Sequence, residues 1–105
     1  TEKPNQALIQ GDLAVAREEN AMTYFLRGRA YYLLDQYDAA SRDFSRAILA
    51  DGTYWQARGA LCFTSYRLGD YEQAAAFARE VLAQVPGNMQ AQECLNAAEA
   101  ALEVP

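Results

Sequence analysis

The segment from Asp35 to Ala40, Asp-Gln-Tyr-Asp-Ala-Ala, returns 34 residues later as Gly-Asp-Tyr-Glu-Gln-Ala between Gly69 and Ala74. Sliding the chain on itself at that offset places Tyr32 on Tyr66, Leu34 on Leu68, Tyr37 on Tyr71 and Ala40 on Ala74. It also places Asp38 on Glu72, Ile48 on Leu82, and Gly52 on Pro86, two different residues that both stop a helix. A fixed period of this length belongs to a repeat array, in which each unit buries its apolar face against its neighbours. The rest of the chain then reads as copies or pieces of this unit.

Each unit reads as a pair of helices. The lead-in is polar to Pro4, and Asn5 is placed to cap a helix to about residue 18 with Leu8, Ile9, Leu13 and Val15 as its apolar members. Gly11 weakens that helix by roughly 1 kcal/mol relative to Ala, tolerable where another helix crosses close by. Asn20 caps the next helix, 21 to about 34, whose Tyr24, Gly28, Tyr31 and Leu34 share a face beside a stripe of Phe25, Arg29 and Tyr32. After a turn at Asp35-Gln36, a helix over about 38–50 turns Ala40, Phe44, Ala47 and Ile48 inward and ends at Asp51-Gly52. Thr53 with Gln56 reads as a capping box opening the second copy, whose first helix runs to Leu68 and closes at Gly69 in left-handed geometry. Asp70 with Gln73 reads as another box before a helix over about 71–84 that buries Ala74, Ala78, Val81 and Leu82. Val85-Pro86-Gly87 breaks the chain, and Asn88 caps a last, unpaired helix to about Leu102.

Composition narrows function more than fold. Alanine-rich, β-branched-poor sequence favours helix almost throughout. A net charge of −5 argues against general nucleic-acid binding. No apolar run approaches 18 residues, so membrane insertion is not expected. There is no His, which excludes Ser-His-Asp and Cys-His catalysis within this chain, and no Gly-rich phosphate loop or metal cluster is visible. The chain is read as non-catalytic, without cofactor or metal. Cys62 and Cys94 are expected as buried free thiols, since two thiols cannot complete a four-ligand zinc site. Free thiols mildly favour a reducing compartment, hence the cytoplasm, with localisation otherwise unknown. A start at Thr1 and an end at Val104-Pro105 suggest a fragment. Arg17, Arg27, Arg42, Arg46, Arg58 and Arg79, spread among acids, are expected to make exposed ion pairs of small energetic value.

The 34-residue unit resembles the tetratricopeptide repeat (TPR), whose pattern runs Trp-x2-Leu-Gly-x2-Tyr, Ala-x3-Phe, Ala, Pro. The first copy supplies Tyr24, Gly28, Tyr31, Ala40, Phe44 and Ala47, departing at Arg27 and Gly52. The second supplies Leu61, Ala74 and Pro86, departing at Arg58, Cys62, Ser65, Ala78 and Val81, mostly with small residues. The resemblance implies an all-α, TPR-type α-solenoid of antiparallel helix pairs in a right-handed superhelix. It divides the single domain 1–105 into an N-terminal helix 5–19, repeats 21–54 and 55–88, and a capping helix 89–103. Small residues at Gly28, Ala40, Ala47, Cys62 and Ala74 would let paired helices approach.

In that family the first helix of each pair lines a concave peptide groove. Carried over by register, the groove here comprises Met22, Phe25, Arg29, Tyr32 and Leu33, then Gln56, Gly59, Phe63, Tyr66 and Arg67, then Gln90 and Glu93. The resemblance therefore implies a module binding a protein or peptide segment. Packing within the stack is the competing role for the aromatics, and helix spacing alone does not separate the two. The family's two-carboxylate clamp for heat-shock chaperone C-termini uses Lys and Asn at positions that here hold Phe25, Arg29, Gln56, Ala60 and Cys94, which argues against that partner class. The alternative to groove binding is an assembly module that self-associates or docks within a larger protein, through open ends near Leu8, Ile9 and Leu13 or near Leu95 and Leu102.

Overall fold

Helix signals at 34-residue spacing become a zigzag of six helices in the computed structural model, which describes residues 2–104. The order is α1 (Glu2–Arg17), α2 (Ala21–Leu33), α3 (Tyr37–Ala50), α4 (Trp55–Arg67), α5 (Tyr71–Gln84) and α6 (Met89–Glu103). Each helix packs on the next, while α4 also meets α2 on one side and α6 on the other. The stack is elongated, 43 × 29 × 19 Å.

The caps show why the helices begin and end where they do. Asn20 accepts from the Thr23 N–H at 2.9 Å while Thr23 Oγ1 accepts from the Asn20 N–H at 3.0 Å, a closed capping box. Asn88 accepts from the Ala91 N–H and Asp70 from the Gln73 N–H. Thr53 does not cap α4, as its sequence position suggested. Its N–H and hydroxyl both donate to the Asp51 carboxylate, and Tyr54 precedes the helix without a side-chain cap. Nor does Asn5 open α1, because the helix starts at Glu2 and takes Pro4 into its first turn, where a missing N–H costs nothing. The turns after α2 and α4 are copies of each other. Gln36 donates its N–H to the Tyr31 carbonyl and Asp70 to the Ser65 carbonyl, both at 2.9 Å, around a left-handed residue. That residue is Asp35 (φ 59°) in one copy and Gly69 (φ 82°) in the other.

Between the helices the core is built from small side chains. One cluster joins Ala21, Ala40, Phe44, Ala47, Ala57 and Leu61; the next joins Cys62, Ala74, Ala75, Ala78, Cys94 and Ala98. Gly28 allows the tightest approach, since a Cβ there would sit 2.6 Å from Phe44 Cε1. Gly28→Ala should therefore cost about 2 kcal/mol by overpacking, despite the better helix propensity of Ala, measured as a lower urea midpoint at unchanged m. Gly11 is likewise crossed closely, by the Arg27 backbone.

Two expectations about side chains do not hold. Cys62 and Cys94 are bonded to each other, with Cα atoms 6.4 Å apart, and leave no free thiol. They face one another because α6 stacks directly on α4. Arg27, expected at the surface, donates from Nε (2.7 Å) and Nη2 (2.9 Å) to the two carboxylate oxygens of Asp43, which is fully buried. Arg46 adds a third donor to Asp43 at 2.9 Å, and Arg27 also reaches Asp12 at 3.5 Å. The hydrogen bonds to Asp43 raise the Arg27 pKa further, so its charge is permanent. The remaining described pairs, Arg58–Glu80 between α4 and α5 and Arg79–Glu99 between α5 and α6, are more exposed.

Candidate functional site

The first helix of each pair (α2 and α4) and the unpaired α6 turn a side toward one open cavity of about 480 Å³. That volume lies within the range of ligand-binding clefts. From α2 come Phe25, Arg29, Tyr32 and Leu33; from α4 come Trp55, Gln56, Gly59, Ala60 and Phe63; α6 closes the far side with Gln90, Ala91 and Glu93. Gly59 creates part of the space, since a Cβ built on it meets nothing within 4 Å.

Most register-derived groove positions meet here: Phe25, Arg29, Tyr32, Leu33, Gln56, Gly59, Phe63, Gln90 and Glu93. Met22, Tyr66 and Arg67 lie outside this cavity. Met22 is exposed on α2. Tyr66 packs on the Cys62–Ala74 cluster and against Tyr71, with ring centroids 5.3 Å apart. Tyr32 repeats that contact with Tyr37 at the same distance, so these two tyrosines buttress the turns in both copies. Arg67 donates to the Tyr32 hydroxyl at 3.3 Å, which raises the Arg67 pKa. Phe25 combines roles: it lines the cavity and also packs on Phe44 and Tyr54 at 5.7 and 5.5 Å.

Ala60, a groove position by register with the clamp, does line the cavity, whereas sequence reasoning missed Phe44, Trp55, Asn88 and Ala91 as lining residues. Phe44 was assigned to the core, and it reaches the cavity floor because Gly28 offers no side chain to stop it. Trp55 has only Ala21 as its counterpart one repeat earlier, so register gave no hint of it.

The electrostatics of the cavity are simple. Arg29 holds its guanidinium 5.7 Å from the Phe25 ring centroid and pairs with no carboxylate among the described residues. Glu93 supplies the opposite charge on the α6 wall. Among the described residues no group of three or more His, Cys, Asp and Glu side chains is placed to hold a metal ion. No described helix is long and apolar enough to cross a membrane.

Solved structures match this arrangement over nearly the whole chain. The second TPR domain of human RPAP3, solved with the HSP70 peptide SGPTIEEVD, superposes at a TM-score of 0.86 with 29% identity, covering 93% of this chain and 82% of that one. The chain has the tetratricopeptide repeat fold. The Arabidopsis OM64 TPR domain matches at 0.89 with 25% identity, covering 94% of this chain and 83% of the other. The first TPR of Spaghetti (RPAP3), bound to the HSP90 peptide SRMEEVD, matches at 0.84 with 25% identity, covering 98% and 90%. No family model matches the chain, and no curated protein does.

These TPR neighbours overturn the sequence argument against heat-shock chaperone C-termini, because two of them carry such peptides. The clamp positions Phe25, Arg29, Gln56, Ala60 and Cys94 follow from register alone, not from what faces the cavity. One of those positions, Cys94, is buried in the disulfide and does not face the cavity, while another holds the guanidinium of Arg29, which pairs with no carboxylate among the described residues.

Proposed function

We propose that this TPR domain is a protein-interaction module that takes an extended peptide segment along the cavity shared by α2, α4 and α6. The observation that carries this reading is the cavity itself: aromatic walls, a glycine hole at Gly59 and the Arg29 cation, which pairs with no carboxylate among the described residues, converge on one open face. Aromatic and Arg side chains in a partly desolvated pocket are the residues that dominate peptide and protein interfaces. The peptide complexes of the RPAP3 domains support the same use of the face, and acidic chaperone tails belong among the candidate ligands.

Gly59→Phe tests the reading without touching the core. The new ring enters open space and replaces a poor helix former, so the fold should keep its helicity and gain slightly in stability. Random peptides displayed on phage, together with the nonapeptide SGPTIEEVD and the heptapeptide SRMEEVD, are presented to the wild-type and Gly59→Phe proteins. Peptides retained by the wild type and weakened at least tenfold by the filled cavity are the expected result, read by fluorescence anisotropy. Equal retention by both proteins, or no selective retention, would remove the groove as the binding site.

A further inference from the structure

A second cavity, of about 260 Å³, lies on the other side of α2, between it and α1, lined by Ala7, Gln10, Gly11, Leu26 and Ala30. It shares two residues with the first cavity, Arg29 and Leu33. The two hollows are therefore one surface, with Arg29 standing on the ridge between them. Leu33 is 59% exposed and Leu26 is exposed beside it, so the second hollow presents an uncovered apolar rim. Gly11 lets α1 approach the Arg27 backbone closely enough to form that hollow's wall.

We infer that the ligand is an extended peptide carrying an acidic residue between two apolar anchors, its carboxylate on Arg29 and one anchor in each cavity. This rests on the groove reading above and adds what the groove selects. Cavities on either side of one helix are separated by roughly one interhelical distance, about 10 Å, or somewhat more. An extended chain rises about 3.3 Å per residue and sends every second side chain to the same face. Residues i, i+2 and i+4 thus span about 13 Å on one face, which matches apolar, acidic, apolar in that order. Charge fixes the register. The guanidinium on the ridge has no carboxylate of its own among the described residues, whereas Glu93 on the α6 wall disfavours an acid on that side of the first cavity.

The test extends the phage selection to Arg29→Glu, an exposed substitution that leaves the helix intact, with helicity checked by circular dichroism. Wild-type protein should enrich peptides with Asp or Glu flanked two residues away on each side by apolar residues. Arg29→Glu should exchange that central acid for Lys or Arg and bind the wild-type-selected peptide about tenfold or more weakly. Peptides that need the Gly59 cavity but lack the central acid or one anchor would overturn this inference and leave the groove reading standing, as would a central acid indifferent to Arg29→Glu. If no peptide depends on the Gly59 cavity, both fall together.

Discussion

Asp43→Ala should destabilise the domain by about 3–5 kcal/mol, seen as a large drop in the urea midpoint and in Tm. The substitution leaves the Arg27 guanidinium at the α2–α3 interface without the two hydrogen bonds that compensate its desolvation. For a domain of this size the expected loss is a large part of the whole folding free energy. The internal repeat supplies the control. Thirty-four residues on, Arg27 and Asp43 correspond to Leu61 and Phe77, which occupy the same helix–helix position with apolar side chains. The double variant Arg27→Leu/Asp43→Phe should recover most of what Asp43→Ala loses, because replacing both members of a buried pair by apolar groups is often neutral or better. A double variant as unstable as the single one would show that the two copies pack differently at this point.

Removing the Cys62–Cys94 bond should have the second large effect. The bond closes a loop between residues 32 apart, and loop-closure entropy for that length corresponds to about 3–4 kcal/mol. Cys62→Ala/Cys94→Ala should lower stability by that order relative to the oxidised wild type. Thiol titration of the unfolded, non-reduced wild type should find no free thiol. Recovery of two free thiols would contradict the bridge, and unchanged stability in the double variant would contradict its role.

The repeat register made the helix order legible from the sequence, including the small residues at Gly28, Ala40, Ala47 and Ala74 and the left-handed turn at Gly69. It failed where a contact joins residues that do not fall on equivalent positions. Cys62 and Cys94 are two residues short of one period, so the slide that aligned the tyrosines set them apart, and only the stacking of α6 on α4 brings them together. The Arg27–Asp43 pair was hidden differently. An arginine and an aspartate 16 residues apart on separate helices look like ordinary surface charge. The signal available was in the other copy, where both equivalents are apolar and so mark buried positions. Much of the groove was legible because it follows from the same register. Trp55 and the second hollow beside α1 were not, since the first has no bulky counterpart and the second depends on how closely α1 crosses α2.

A linear stack ordinarily frays from both ends, because a terminal helix has one neighbour where an inner helix has two. Here the bridge from α4 to α6 skips over α5 and encloses the whole of that helix. The last helix cannot peel away without carrying its covalent partner, so the C-terminal edge acquires the persistence of an interior layer. α1 carries no such tether, and it forms one wall of the hollow beside Arg29.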